Sequence, residues 1–289
     1  MEVQTRTNKQ NKNMKTNYFN SLVVPLVKAS AQHAAFAEGD IVFDWASFDI
    51  PRGTSRVLGA TITYRKNSVI DQVGCVDLIF AKDEGNNTAP TSLGALNGLI
   101  GLTNHASTAK NTIGFLSGKM ADFPGNGIIE SSCSVQTMHN SPSPVLLEPN
   151  STSGANAGVD RYYVAGIASG ALDMTGLVAI GPSAGVDISG SNGTFGVIDG
   201  TDPRLVFAPG DLLHAEDDII IGELATVNED DIVFKFSGET SANHSGTYTV
   251  PANIAAFRIQ NGAGAAGDLA ENDILYNVFP LRITLHLSK

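Results

Sequence analysis

Apolar and polar side chains alternate along several stretches near both ends of the chain, which is the pattern of a β-strand with one buried face. The clearest stretch covers residues 281–288, where Leu281, Ile283, Leu285 and Leu287 alternate with Arg282, Thr284, His286 and Ser288. The same period predicts a strand over residues 56–65, with Leu58, Ala60, Ile62 and Tyr64 inward. It also predicts one over residues 73–81, with Val76, Leu78 and Phe80 inward.

Further strands are predicted from shorter apolar runs bounded by turn residues. These runs cover residues 41–45, 161–168, 177–180, 219–227 and 231–236. The last two are joined by Asn228-Glu229-Asp230, a polar connection of the length found in hairpins. Residues 49–53 predict a turn, because Pro51 presets φ and Gly53 tolerates a positive φ.

The middle of the chain, residues 83–204, has a different character. It holds 19 of the 30 glycines in 122 residues, which predicts an insertion dominated by long loops. Within it, the apolar spacing of residues 92–102 favours one short helix, although three glycines weaken that interpretation.

Strands at both ends with a loop-rich insertion between them predict an all-β fold, a β-sandwich of jelly-roll type. Composition agrees, because only 16% of residues are charged and glycine is abundant. We expect residues 18–289 to form this body and residues 1–17 to be a flexible basic arm.

Charge is distributed unevenly along the chain. Arg6, Lys9, Lys12 and Lys15 against Glu2 give residues 1–17 a charge of +3. Since the whole chain carries −11, the remainder carries −14. A body this acidic does not neutralise phosphates, so direct nucleic-acid binding is excluded from the expected functions. The positive charge of residues 1–17 instead indicates that the arm docks on an acidic patch of a neighbouring subunit.

The cysteines and the lengths of the apolar runs both bear on where the protein is located. Cys75 and Cys133 are too few for a disulfide scaffold and predict free thiols folded in a reducing cytoplasm. No apolar run reaches the roughly 18 residues that a membrane span needs. Residues 18–31 imitate a secretory signal, but Pro25 and Lys28 interrupt the pattern and favour a first strand.

The sharpest signal for an enzyme is Gly181-Pro182-Ser183-Ala184-Gly185, which matches the G-x-S-x-G nucleophile elbow. Aspartates and histidines follow in the right order: Asp187, Asp199, Asp202, His214 and His244. An elbow needs a helix directly after the serine, whereas residues 186–193 are typical of a strand and a turn. A serine hydrolase using Ser183 is therefore a low-ranking alternative.

Two acidic triplets, 13 residues apart, are candidates for calcium: Glu216, Asp217 and Asp218, then Glu229, Asp230 and Asp231. Calcium prefers six to eight oxygen ligands, and clustered carboxylates supply several. Neither triplet has the spacing of an EF-hand loop, so solvated turns are the simpler interpretation.

No cofactor is predicted. The six histidines have neither HxH nor HExxH spacing, and no phosphate-binding G-x-x-x-x-G-K-[ST] motif occurs. A G-x-G-x-x-G match begins at Gly262, but it lacks the strand and helix that a dinucleotide site requires.

Several short runs resemble uncharacterised virion structural proteins of marine tailed bacteriophages. The resemblance covers about half of the chain, in its two end blocks, and includes no diagnostic motif. The runs are Phe43-Asp44-Trp45, Asp49-Ile50-Pro51-Arg52-Gly53-Thr54, residues 56–65, Phe207-Ala208-Pro209-Gly210-Asp211, Ile274-Leu275-Tyr276 and Pro280-Leu281-Arg282-Ile283-Thr284.

The resemblance implies a non-catalytic virion protein that decorates the capsid or forms another head or tail component. Expected partners are further copies of the chain in a homo-oligomer and other virion proteins, such as major capsid, neck or tail subunits. Assembly is expected in the host cytoplasm. The main alternative is a receptor- or glycan-binding fibre module that uses the glycine-rich middle loops for recognition.

Overall fold

The computed structural model describes residues 17–64, 76–85, 88–101, 105–117, 134–139, 144–148, 159–172, 174, 178–180, 186–189, 192–196, 198–200, 203–214, 220–228, 231–235 and 274–289. These residues are mostly β-strand, arranged in antiparallel sheets. None of the helices they form is long and apolar enough to cross a membrane.

The first half of the chain forms eight strands and two short helices in the described ranges. The strands are β1 Tyr18–Val23, β2 Ile41–Pro51, β3 Ser55–Tyr64, β4 Val76–Lys82, β5 Thr112–Leu116, β6 Ser134–His139, β7 Val145–Leu147 and β8 Val159–Ala168. The helices are a 3-10 turn at Ala29–Gln32 and α1 at His105–Asn111.

The second half contributes shorter strands and one long final strand. They are β9 Val178–Ile180, β10 Val186–Ser189, β11 Asn192–Gly196, β12 Ile198–Gly200, β13 Leu212–His214, β14 Ile220–Val227, β15 Asp231–Lys235, β16 Ile274–Asn277 and β17 Leu281–Ser288. A second 3-10 turn covers Pro203–Leu205.

Strands from both chain ends form the first sheet, whose order is β1-β17-β3-β6, with β7 also paired to β3. The last strand therefore lies between the first strand and β3. Tyr18 is opposite Ser288, and Ile62 is opposite Ile283. The second sheet has the order β2-β8-β4-β5, with β8 paired on both sides.

The two sheets pack face to face around one apolar core. The first sheet contributes Val23, Val57, Ala60, Ile62, Val145, Leu147, Leu281, Ile283, Leu285 and Leu287, and the second contributes Val42, Phe43, Phe48, Ile50, Val76, Leu78, Phe80, Leu116, Tyr162, Val164 and Ala168. Because these residues form one continuous cluster, burial of the two inner faces holds the sheets together as a sandwich.

The third sheet has eight strands in the order β10-β11-β15-β14-β13-β16-β9-β12. All of these strands come from residues 178–277, between β8 and β17. The sheet is joined to the sandwich by a backbone contact, in which Val27 N, after β1, donates to Val278 O, directly after β16.

Most of the strand predictions are confirmed. Strand β17 buries Leu281, Ile283, Leu285 and Leu287 as expected, and β4 buries Val76, Leu78 and Phe80. Strands β14 and β15 pair as the predicted antiparallel hairpin, with Val227 opposite Ile232.

The predicted helix over residues 92–102 is wrong in the part that the structure describes. That part is irregular, with Gly94 at φ 143° and Asn97 at φ 53°, conformations that an α-helix does not contain. The short helix lies instead at His105–Asn111.

One other prediction is corrected. The turn expected over residues 49–53 begins later, because Asp49, Ile50 and Pro51 belong to β2, and Gly53 has φ 118°. In the described part, residues 83–204 contain the predicted strands β8 and β9 together with further short strands, and supply strands to all three sheets. The limits of 1–17, 18–289 and 83–204 as structural units stay a prediction.

Candidate interaction surface

Among the residues that the structure describes, strand β1 pairs with β17 on one side only and is an edge strand of the first sheet. Its backbone groups alternate between β17 and the opposite, open side. Lys289 N donates to Asn17 O at 2.9 Å, which identifies Asn17 and Lys289 as a hydrogen-bonded antiparallel pair. Because such pairs alternate, Phe19, Ser21 and Val23 turn their N–H and C=O toward β17. Tyr18, Asn20 and Leu22 therefore turn theirs toward the open edge.

The side chains of β1 alternate as well. Phe19 packs against the sandwich core and Val23 belongs to it. Tyr18 is 74% exposed and Leu22 is 61% exposed, on the opposite face of the strand. Since soluble proteins normally protect a sheet edge, two exposed apolar side chains on an open edge mark a candidate interaction surface. We call Tyr18–Val23 the β1 edge.

A row of polar side chains crosses the outer face of the first sheet and ends at the β1 edge. Thr61 Oγ1 lies 2.9 Å from His286 Nε2, and His286 Nδ1 lies 3.1 Å from Asn20 Oδ1. These distances suit a tautomer that accepts from Thr61 at Nε2 and donates to Asn20 from Nδ1. Asn20 ends the row on the edge strand of the sheet.

An open groove of about 1070 Å³ continues from the end of β1. Its walls are residues 22–26 at the end of β1 and just after it, residues 44–47 of β2, and residues 92 and 94–96 of the loop next to β2. Trp45 lines the groove and donates from Nε1 to Thr91 O at 3.0 Å. Asp44 Oδ1 accepts from Leu93 N at 3.1 Å, which fixes the same loop. The groove is therefore held in shape by hydrogen bonds from its own walls.

A buried polar junction joins the sandwich to the third sheet. Gln32 Nε2 donates to Val27 O and to Asn277 O, both at 2.9 Å. Asn277 Nδ2 donates to Val206 O at 2.9 Å and to Asp211 Oδ2 at 2.8 Å. Three segments distant in the sequence are thus tied together by side-chain amides.

A second buried polar group lies where β2 turns into β3. Asp160 is fully buried, and its Oδ2 accepts from Gly53 N at 2.9 Å. The Tyr162 hydroxyl donates to Glu148 O. Burial raises the pKa of Tyr162, and the nearby charges of Asp160 and Glu148 raise it further. A phenol held neutral in this way stabilises the sandwich and supplies no nucleophile or base at neutral pH.

Most of the site residues predicted from sequence lie outside the described residues. These are the docking-arm residues Arg6, Lys9, Lys12 and Lys15, the serine candidate Ser183, and the acidic residues Glu216, Asp217, Asp218, Glu229 and Asp230. Asp231 is described: it opens β15 and lies opposite Gly196. Residues 186–189 form β10, so a strand follows residues 181–185 in the chain.

The described residues contain no group of three or more His, Cys, Asp or Glu side chains that could hold a metal ion. His33 packs against the ring of Tyr276 at a centroid distance of 5.3 Å, and His286 belongs to the polar row. Both side chains therefore make contacts within the fold.

The sequence pattern does not reveal the β1 edge as a surface. A local signal is present, because residues 18–23 contain apolar side chains and no charge. That run predicts a first strand, but nothing in it indicates whether the strand lies inside a sheet or at its edge. The chain matches no protein-family model and no curated protein.

Proposed function

We propose that this protein is a non-catalytic structural subunit of a virion, as a capsid decoration or another head or tail component. The observation that supports this most strongly is the strand order of the two packed sheets, β1-β17-β3-β6 and β2-β8-β4-β5. Double sheets of this kind recur in viral capsid domains, and their work is to hold position in an assembly.

The strand order favours a jelly roll in particular. When β6 and β7 are counted together as the sixth strand, the eight sandwich strands have the order 1-8-3-6 in one sheet and 2-7-4-5 in the other. This is the order produced by two Greek keys folded over each other. The first and last strands are then neighbours, as β1 and β17 are here.

The position of the third sheet fits an assembly role. Its strands are inserted between the seventh and eighth strands of the proposed jelly roll, so the sandwich keeps its closure while extra surface is added. Exposed apolar side chains also occur on β5 and β7, at Phe115 and Leu146. Several faces of one compact body are thus available for contacts with copies and with other virion proteins.

One observation favours the alternative, a receptor- or glycan-binding fibre module. Jelly rolls also occur in lectins, and the groove beside β1 is lined by Trp45, an aromatic side chain of the type that stacks on sugars. The groove is open and its walls are fixed by hydrogen bonds. Binding of the purified protein to a glycan array, lost in Trp45→Ala, would support this alternative over a purely architectural role.

The structural proposal is tested by finding the protein in purified particles and then removing residues 1–16. This deletion keeps Asn17, whose carbonyl accepts from Lys289 N. We expect the truncated protein to fold normally and its incorporation into particles to fall, because the basic arm no longer meets an acidic neighbour. A matched variant with Arg6, Lys9, Lys12 and Lys15 changed to glutamine tests the charge alone.

Three outcomes would contradict the proposal. The protein would be absent from particles, the truncated form would be incorporated normally, or a serine-reactive probe would label the wild type but not Ser183→Ala. The last result would favour the hydrolase alternative.

A further inference from the structure

We infer that two copies of this chain pair through their β1 edges about a twofold axis, forming one continuous sheet across the dimer. The inference rests on the proposed architectural role, to which it gives a specific partner and surface. It is tested on the isolated protein in solution, so its failure can be told apart from failure of the virion assignment.

The free backbone groups of β1 match those of a second β1 in antiparallel orientation. Tyr18, Asn20 and Leu22 have their N–H and C=O on the open side. If Asn20 lies on the twofold axis, Tyr18 of one copy faces Leu22 of the other, and Asn20 faces Asn20. Each residue whose N–H and C=O point outward then faces a residue of the second copy whose N–H and C=O also point outward. Each such pair exchanges two backbone hydrogen bonds.

The side chains are complementary in the same register. Exposed Tyr18 packs on exposed Leu22 of the second copy, and this contact occurs twice by symmetry. The two Asn20 side chains meet at the axis, where amides can donate to and accept from each other. The polar row of Thr61, His286 and Asn20 then continues into the same row of the second copy.

The β1 edge lacks the features with which proteins protect an open edge. It contains no lysine, proline or glycine, and its pairing with β17 has no bulge. By contrast, the β2 edge of the second sheet is capped at its first residue, because Ile41 N donates to Gly98 O and Asn97 N donates to Ile41 O. Strand β2 also ends in Pro51 and contains bulges. Of these two edges, β1 is the one without such features in the described part of the chain.

Electrostatics also favours a second copy at this surface. The whole chain carries −11, so copies repel each other across most faces, but residues 18–23 carry no charge. In the proposed register Asn17 of the second copy lies opposite Val23. Residues 1–17 carry +3 and the rest of the chain carries −14, so the start of one copy is attracted to the body of another.

The test measures molar mass in solution by size exclusion with light scattering, over a range of protein concentrations. We expect the wild type to approach twice the chain mass of 30.2 kDa as concentration rises. Leu22→Lys places a charge against Tyr18 of the second copy, twice by symmetry, and should reduce the mass to that of one chain. The matched control is Leu146→Lys, at a 42% exposed leucine elsewhere in the same sheet, which should leave the dimer intact.

A rescue variant tests the register itself. Tyr18→Glu combined with Leu22→Lys puts opposite charges across both symmetric contacts, so the dimer should return. Circular dichroism and thermal unfolding verify the fold of each variant. Tyr18→Lys, at a 74% exposed position, replaces Leu22→Lys if the latter does not fold.

A wild type that stays at one chain mass at all concentrations would overturn the inference. So would a dimer that survives both lysine substitutions, or one that Leu146→Lys disrupts equally. None of these results bears on whether the protein is found in virions. Conversely, a dimer that behaves as expected would stand even if the protein were absent from particles.

Discussion

The pKa of Tyr162 is changed by the groups that surround its ring and hydroxyl. It is almost fully buried in the sandwich core, in tilted contact with Phe48, and its hydroxyl donates to Glu148 O. Loss of water around the ring raises the pKa of Tyr162, with further contributions from Asp160 and Glu148. Ionisation of this phenol would leave an anion without solvation near two carboxylates.

The raised pKa of Tyr162 predicts a specific alkaline instability. Because the folded-state pKa lies above the unfolded value of about 10, the neutral phenol contributes stability that is fully present below pH about 10. That contribution is lost as the pH rises toward the folded-state pKa. Tyr162→Phe should therefore make the free energy of unfolding less dependent on pH between about pH 9 and 11. Urea denaturation at several pH values measures this.

Tyr18→Phe is the matched control at protein concentrations low enough to keep the chains apart, because Tyr18 is 74% exposed in a single chain. Its stability should follow that of the wild type through the same pH range. An alkaline loss of stability equal in Tyr162→Phe and the wild type would show that other groups cause it.

Leu58 shows where residue-level prediction failed. Alternation placed it inward with Ala60 and Ile62, yet Val57 is fully buried and Leu58 is only partly buried. The register with β17 shifts at this point, from His286 opposite Gly59 to Leu287 opposite Val57. A bulge of this kind reverses the facing of the residues beyond it. It is specified by the partner strand, so the local pattern of β3 does not indicate it.

At the scale of elements, the pairing of β2 with β8 depends on one close approach. Phe43 lies opposite Gly166, and a Cβ added to Gly166 would lie 2.1 Å from Phe43 Cε1. The register of β2 shifts on both sides of Phe43, which turns the ring over the glycine. The strand pair therefore requires a residue without a side chain at position 166.

Gly166→Ala should destabilise the protein by about 1–3 kcal/mol, because the methyl group overpacks the contact with Phe43. Phe43→Leu combined with Gly166→Ala should recover part of that loss, since the smaller side chain makes room. Chemical denaturation of the two single variants and the double variant measures the coupling. Gly98→Ala, whose added Cβ would be 3.4 Å from Ala95 O, is the control and should have a small effect.

Additive effects of the two substitutions would contradict this interpretation. They would mean that the ring of Phe43 is not the group that excludes a side chain at Gly166.

The alternation pattern predicts a strand correctly where one face of the strand is exposed to solvent. Prediction fails at residues 92–101, where apolar side chains pack a loop against a sheet. The apolar spacing of residues 92–102 resembled a helix, but Leu93 packs with Ile41 and Ala165, and Leu96 and Ile100 join them. Those side chains cover the outer face of the second sheet. Their spacing therefore follows the strands against which the loop packs. The loop has no regular period of apolar residues.

At the scale of the whole molecule, the sandwich and the third sheet are coupled through the junction at Asn277. Its side chain donates to Val206 O and Asp211 Oδ2, while its Oδ1 accepts from Phe279 N at 2.8 Å. Asp211 in turn is within 3.4 Å of Arg282 on β17. The junction thus links the third sheet to a central strand of the first.

Asn277→Ala should lower the free energy of unfolding by about 1.5–3 kcal/mol, the range for a hydrogen bond to a charged group. The reason is that Asp211 is buried and loses a donor. Denaturation followed by tryptophan fluorescence reports on Trp45 in the sandwich, and circular dichroism reports on all sheets. Asn17→Ala, at an exposed asparagine, is the control; an equal effect in both variants would contradict the proposed coupling.

Read from its residues alone, this chain already specifies a β-rich protein, because an alternation of period two is a local property of each strand. That information located β3, β4, β8, β14, β15 and β17 within a few residues. It also identified an uncharged β1 and a basic segment before it.

Which strands become neighbours is a global outcome, because an apolar stripe can pair with many others of similar length. Tyr18 meets Ser288 only because the two sheets close around one core. In the described part of the chain, closure also leaves β1 as an edge strand, places residues 92–101 against the start of β2 and forms the groove between β1 and β2. The candidate surface therefore depends on how the chain closes. Edge strands and interior strands have similar patterns of side chains, so the sequence of β1 alone does not distinguish them.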